Sequence, residues 1–260
     1  MVNRNKFGVL LIGWAAGLVA GCGGSGSGAG DGAEILAIGE VVARNTNGVA
    51  IRLGETVTTE GIVTVDAPIF ANNKLKMFLQ DGMDGVMVFH ATSAAVPTFA
   101  EGERVQVTGL VRQADPTSQE NRAEGTVMID ITDGSYIQLS AGNALPDPEQ
   151  VTIDEIIDSG DAFVGLLVRI SAVRRTAGDW PNAGSRSAEV RITDNSSSSD
   201  LTLRMQRNAI SGALADRFAA IGDGAFELTG IVVQDDTDGD DTLLDGYEVW
   251  IRGVKDVAIP

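Results

Sequence analysis

The sequence holds one cysteine and one histidine in 260 residues. Hydrolytic triads usually draw their base from histidine, and zinc sites draw ligands from cysteine and histidine, so both chemistries lack raw material. His90 ends an apolar run, where a hydrogen-bonded structural histidine is the plain reading. Basic residues are scarce as well: 19 Lys and Arg face 36 Asp and Glu, for a net charge of -17, which argues against passive adhesion to polyanions. Aromatics make up only 5% while glycines number 32, a balance that suits short strands joined by many turns. The most apolar stretch, Phe7 to Leu18, is too short to cross a bilayer comfortably.

That stretch reads instead as the core of a targeting segment. Arg4 and Lys6 supply a basic start, and Val19-Ala20-Gly21-Cys22 is similar to the lipobox of bacterial lipoproteins, in which the cysteine is lipidated after cleavage. Residues 1–22 are therefore expected to be a lipoprotein signal peptide with Cys22 as the lipidation site, anchoring the protein to a membrane outside the cytoplasm. The mature chain would then have neither thiol chemistry nor a disulfide. Gly23 rather than Asp follows the cysteine, and the resemblance implies the outer membrane in a Gram-negative source. Residues 23–33, rich in Gly and Ser, read as a flexible tether.

The remainder repeats one order of strands twice. In the first half, Leu75 to His90 reads as a hairpin around a Gly/Asp turn, with Gly82 and Gly85 supplying the unusual dihedrals. Val57 to Val65 precedes it and Arg104 to Arg112 follows. Ile35 to Ala43 reads as a short helix or a leading strand, and Thr126 to Ile131 and Tyr136 to Leu139 as closing strands. In the second half, Thr152 and Glu155 form a capping box before a short helix. Ala162 to Val173, Ala188 to Thr193, Leu201 to Met205, Phe226 to Gln234 and Tyr247 to Arg252 are the strands. A helix capped by Asn208, with Ile210, Leu214, Phe218 and Ile221 on one face, falls between the third and fourth of these. Pro146 and Pro148 mark the link between two domains, 34–146 and 147–260.

Three strands, a connector and two further strands is the order of the OB-fold, so the expected class is all-β: two consecutive five-stranded Greek-key barrels, each with a short helix or helical connector. Particular phrases sharpen the likeness, among them Leu53 to Val65, Phe78-Leu-Gln-Asp-Gly82, Leu167-Val-Arg-Ile170, Trp180-Pro-Asn-Ala-Gly184 and Asp245 to Arg252. Together they resemble the tandem OB-like segments that accompany secreted bacterial endonuclease/exonuclease/phosphatase-type nucleases and lamin-tail modules. No catalytic nuclease segment is present, so the resemblance implies an accessory binding unit without its enzyme.

Two sets of residues are candidates for a site. Strand alternation turns Val105, Val107, Leu110, Val190, Ile192 and Ile231 toward apolar cores, and in the second domain turns Arg169, Arg191 and Arg204 outward. With Trp180 in the first loop these arginines form a candidate ligand face, or else a set paired with Glu189 and other acids. Asp236, Asp238 and Asp240, at alternate positions and followed by Asp245 and Glu248, present oxygen ligands at a spacing similar to EF-hand-like and thrombospondin-repeat-like calcium loops. Asp241 stands where such loops carry Gly, and a solvated acidic hairpin tip is the alternative. Apart from Ca²⁺ no cofactor is indicated. No constellation marks out catalysis, and no carboxylate pair is singled out for glycoside chemistry. The expected function is a non-enzymatic envelope lipoprotein that binds an envelope protein or carbohydrate. The second reading is a nucleic-acid-binding accessory to a secreted nuclease, which net charge disfavours.

Overall fold

The computed structural model describes residues 34–71, 74–91, 98–113, 125–196, 198–235 and 245–260. Both leading alternatives for the start of the fold are realised, as a short strand β1 (Ile35–Leu36) and a one-turn helix α1 (Ile38–Val41). Five strands then follow: β2 (Thr56–Val63), β3 (Leu75–Asp81), β4 (Asp84–His90), β5 (Arg104–Gln113) and β6 (Val127–Ser140). They lie in the order β2-β3-β4-β6-β5, and β5 pairs back to β2, so the sheet closes on itself. Closure removes the free edges that an open sheet would expose.

The second half repeats this plan. A short β7 (Glu149–Gln150) and helix α2 (Ile153–Ser159) lead into β8 (Leu167–Ala177), β9 (Ser187–Thr193), β10 (Leu201–Gln206), helix α3 (Gly212–Ile221), β11 (Phe226–Gln234) and β12 (Tyr247–Ile251), with a short β13 (Val257–Ala258) at the end. The barrel order is β8-β9-β10-β12-β11, closed by β11 on β8. In each barrel the third and fifth strands, β4 with β6 and β10 with β12, are parallel, while the other pairs in the ring are antiparallel. This is the OB-fold connectivity twice over.

Local chemistry explains most elements. Thr152 Oγ1 accepts the Glu155 amide, and the Glu155 carboxylate accepts the Thr152 amide, so the capping box at α2 forms as expected. Helix α3 is capped by Ser211, not by Asn208, whose side chain instead donates to the Pro68 carbonyl oxygen. Leu214, Phe218 and Ile221 of α3 are buried against the end of the second barrel. In the first hairpin only Gly82 has a positive φ, of 58°. Gly85 is needed for a different reason: a Cβ there would lie 2.3 Å from the backbone of Gly165.

Three strand expectations change. On β5 the inward positions are Val105, Val107, Gly109 and Val111, and Leu110 turns outward. Gly109 is buried where its backbone presses on that of Asp130 in β6, leaving no room for a side chain. The two expected strands, Thr126 to Ile131 and Tyr136 to Leu139, merge from Val127 onward into one continuous strand, β6, whose far half is exposed on both faces. Ile231 is fully buried, yet it packs with the first barrel's core, while Phe226, Leu228 and Val232 of the same strand fill the second. Val105, Val107, Val190 and Ile192 are buried as their alternation predicts.

Residues 33–260 form one compact unit, and its apolar interior does not stop at the boundary between barrels. Leu167, Ile231, Val233 and Trp250 of the second barrel join the core built by the first. Among the described residues, no helix is long and apolar enough to cross a membrane.

Candidate functional site

The outer face of β9, β10 and β12 carries a polar concavity of about 460 Å³. Alternation builds it. Val190, Ile192, Leu201 and Leu203 point into the barrel, which turns Glu189, Arg191, Thr202 and Arg204 to the other side. The register sets Arg204 opposite Glu189 and Thr202 opposite Arg191, and the parallel neighbour β12 adds Glu248 beside Thr202.

Arg204 organises the floor. Its Nε donates to both carboxylate oxygens of Glu248 at 2.8 and 2.9 Å, its Nη1 to Glu189 at 2.6 Å and its Nη2 to Asp235 at 2.8 Å. Burial works to lower the Arg204 pKa, but Glu248, Asp235 and Glu189 outweigh it and hold the guanidinium above its usual value. Burial pushes the Glu248 carboxyl up to about 7, against the downward pull of Arg204 and of a hydrogen bond from Trp250 Nε1. Tyr247 borders the same concavity, and burial followed by the charge of Asp161 raises its phenol above the usual range.

Of the four residues expected to form a ligand face, the structure brings only Arg191 and Arg204 together. Arg204 is 6% exposed and saturated by carboxylates, so it is a structural hub and not an open cation. Arg191 is exposed at the rim. Arg169 is exposed elsewhere, on β8 between Thr229 of β11 and Gln150 of β7, whereas Arg191 lies opposite Ala177 at the far end of that strand. Trp180 does not face this surface: it stacks on Phe218 of α3 at 4.1 Å, and its Nε1 donates to the Gly222 carbonyl oxygen at 2.9 Å. It caps the α3 end of the barrel.

Asp236, Asp238 and Asp240 of the candidate calcium loop, like Cys22, lie outside the described residues. Asp245 and Glu248 are described, and the Glu248 carboxylate is engaged by Arg204 and Trp250. Among the described residues no three His, Cys, Asp or Glu side chains converge to hold a metal ion.

Three contributors escaped the sequence reading. Asp235 completes the Arg204 cluster from the end of β11. Trp250 donates to Glu248 while its ring packs against Phe70 of the first barrel at 5.1 Å. Lys76 of β3 is 6% exposed, and burial draws its ammonium down to about 8 in spite of Asp235 and Glu248. The signal for Lys76 was present in the run Leu75-Lys-Met-Phe-Leu79: Phe78, on the face opposite Leu75, Met77 and Leu79, marks a strand covered on both sides, and the lysine beside it is covered too.

No family model matches the chain. The chain is 32% identical over 136 residues to an endonuclease of Bacillus subtilis strain 168, YhcR, a match that takes in 51% of this chain and 10% of that protein. The HINa domain of Ifi202, solved in complex with 20-base-pair double-stranded DNA, is similar over 76% of this chain and 94% of its own, at 11% identity and a TM-score of 0.35. An OBody bound to hen egg-white lysozyme covers 44% of this chain and 96% of its own, at 19% identity and a TM-score of 0.32. An aspartyl-tRNA synthetase of Leishmania major covers 54% of this chain and 29% of its own, at 14% identity and a TM-score of 0.34. The chain is thus partly homologous to an endonuclease of which it spans about a tenth, on a fold of two OB-like barrels.

Proposed function

We propose that the protein is a non-enzymatic binding module, tethered to the cell envelope through lipidated Cys22, whose ligand face is the concavity on β9, β10 and β12 of the second barrel. The observation that carries this reading is the charge of that face. Three carboxylates, Glu189, Asp235 and Glu248, surround one saturated arginine, and Arg191 is the exposed cation at the rim. Such a surface suits a neutral polyhydroxylated or cationic ligand, a saccharide or a basic peptide of an envelope protein. A phosphate backbone would meet a surface there with more carboxylates than cations. Calcium belongs to the same proposal as a stabiliser of the loop through Asp236, Asp238 and Asp240, with Glu248 left to Arg204; a melting temperature indifferent to chelator would remove it.

The testing experiment is a direct binding comparison with the full chain immobilised. Envelope saccharides and basic peptides should bind, Glu189→Gln should weaken that binding about tenfold, and single-stranded DNA should bind weakly in moderate salt. Tight DNA binding that survives Arg191→Ser would favour the second reading, an accessory to a secreted nuclease, which the partial match to the Bacillus endonuclease supports.

A further inference from the structure

In the first barrel, the strands equivalent to β9 and β10 are β3 and β4. Their outward side chains follow from the register: Lys76 lies opposite Phe89, Phe78 opposite Met87, and Gln80 opposite Gly85. All of these positions are buried, with Phe78 and Met87 fully so and Gln80 at 3% exposure. The surface that lies open in one barrel is covered in the other. Its cover is the second barrel.

Every kind of contact takes part. Leu167, Ile231, Val233 and Trp250 supply apolar surface, with the Trp250 ring edge-on to Phe70 and beneath Lys76. Gln80 Oε1 accepts the buried Leu167 amide at 3.1 Å. Gly85 and Gly165 meet backbone to backbone, so closely that a Cβ on either would lie within 2.5 Å of the other. Away from the face, Thr126 Oγ1 donates to the Gln234 carbonyl oxygen at 2.9 Å and accepts the Gln234 amide at 3.1 Å. The buried Arg44 guanidinium reaches Gln234 Oε1 at 2.7 Å and Asp161 at 3.0 Å, and Arg252 donates to the Thr64 carbonyl oxygen at 3.0 Å. Interfaces between independently moving domains are more polar than this and can separate without exposing a core. Here separation would bare aromatic and methionine side chains and strand the Leu167 amide.

We infer that the second barrel is the permanent intramolecular occupant of the first barrel's β3–β4 face. The two barrels open as one cooperative body, and that face is closed to external ligands. This holds whichever ligand the open face of the second barrel takes, so the two readings fail separately.

Native-state hydrogen exchange on the full chain tests it. The slowest amides of β2 and β5 in the first barrel and of β9 and β10 in the second should share one opening equilibrium. Gln80→Ala, which leaves the Leu167 amide without its acceptor, should raise that equilibrium about tenfold, by the same factor in both barrels. Gly85→Val should raise it further; if too little of that variant folds, Gln80→Ala carries the test alone. Distinct opening equilibria in the two barrels, or a Gln80→Ala effect confined to the first, would overturn the inference.

Discussion

The Lys76 ammonium of the first barrel lies 5.7 Å from the ring centroid of Trp250 in the second. Among the described residues it makes no hydrogen bond or ion pair, and its environment is set by burial and by the charges of Asp235, Lys74, Arg204 and Glu248. A cation–π contact of this kind offsets part of the cost of desolvating the ammonium, and the acids of the second barrel offset more.

Replacing this lysine should therefore cost little. Lys76→Met keeps the length of the stem and removes a buried charge, and at pH 7 the variant should be as stable as the parent or more stable. Denaturant unfolding at fixed pH measures it, and a large loss of stability would show that the ammonium has a strong partner.

The pH dependence of stability follows from the same group. Lys76 titrates near 8 when folded and near 10.5 when unfolded, so between these values the unfolded chain holds a proton that the folded one has shed. Its contribution accordingly rises as pH climbs through that window. Glu248 has the opposite sense: its folded value of about 7 exceeds the ordinary carboxylate value of 4.5, so its contribution falls as pH rises from about 4.5 to 7. Melting curves should show the alkaline rise in the parent and lose it in Lys76→Met.

Arg204 and Arg191 occupy neighbouring strands and should behave oppositely. Arg204→Leu leaves Glu248 and Asp235 buried without their common partner and should cost about 3–5 kcal/mol. Arg191→Ser, at an exposed position, should change stability by no more than about 0.5 kcal/mol. Chemical denaturation of the two variants side by side checks the contrast.

Trp180→Ala should act on stability and leave ligand capture alone. Its ring stacks on Phe218 and contacts Phe226 edge-on, so truncation should cost about 3–5 kcal/mol. Unchanged stability together with lost binding would return Trp180 to the ligand face.

Cys22→Ala should abolish acyl labelling and release the protein from membranes, because a single residue carries the proposed lipid attachment. Labelling and fractionation of whole cells check it, and unchanged partitioning would remove the anchor from the proposal.

Much of this architecture is written in local pattern. The Thr152–Glu155 capping box, the alternation of Val105 with Val107 and of Val190 with Ile192, and the apolar stripe of Leu214, Phe218 and Ile221 each follow from interactions within a few residues. Period and turn chemistry suffice for such features, and the strand order they imply is that of the OB-fold. Asn208 and Ser211 mark the limit of this logic, since both can cap a helix and only the path of the chain into α3 selects Ser211.

The site was a different matter. Alternation correctly put Arg204 on the outer side of β10, but only tertiary structure brought Glu189, Asp235 and Glu248 onto it and buried the group. The same holds for Lys76, Gln80, Ile231 and Trp250, which their strands turn away from their own barrels and which the neighbouring barrel then covers. A side-chain period of two decides which face of a strand a residue occupies. What lies against that face depends on residues far away in the chain, Leu167 for Gln80 and Trp250 for Lys76, and no local period encodes that pairing.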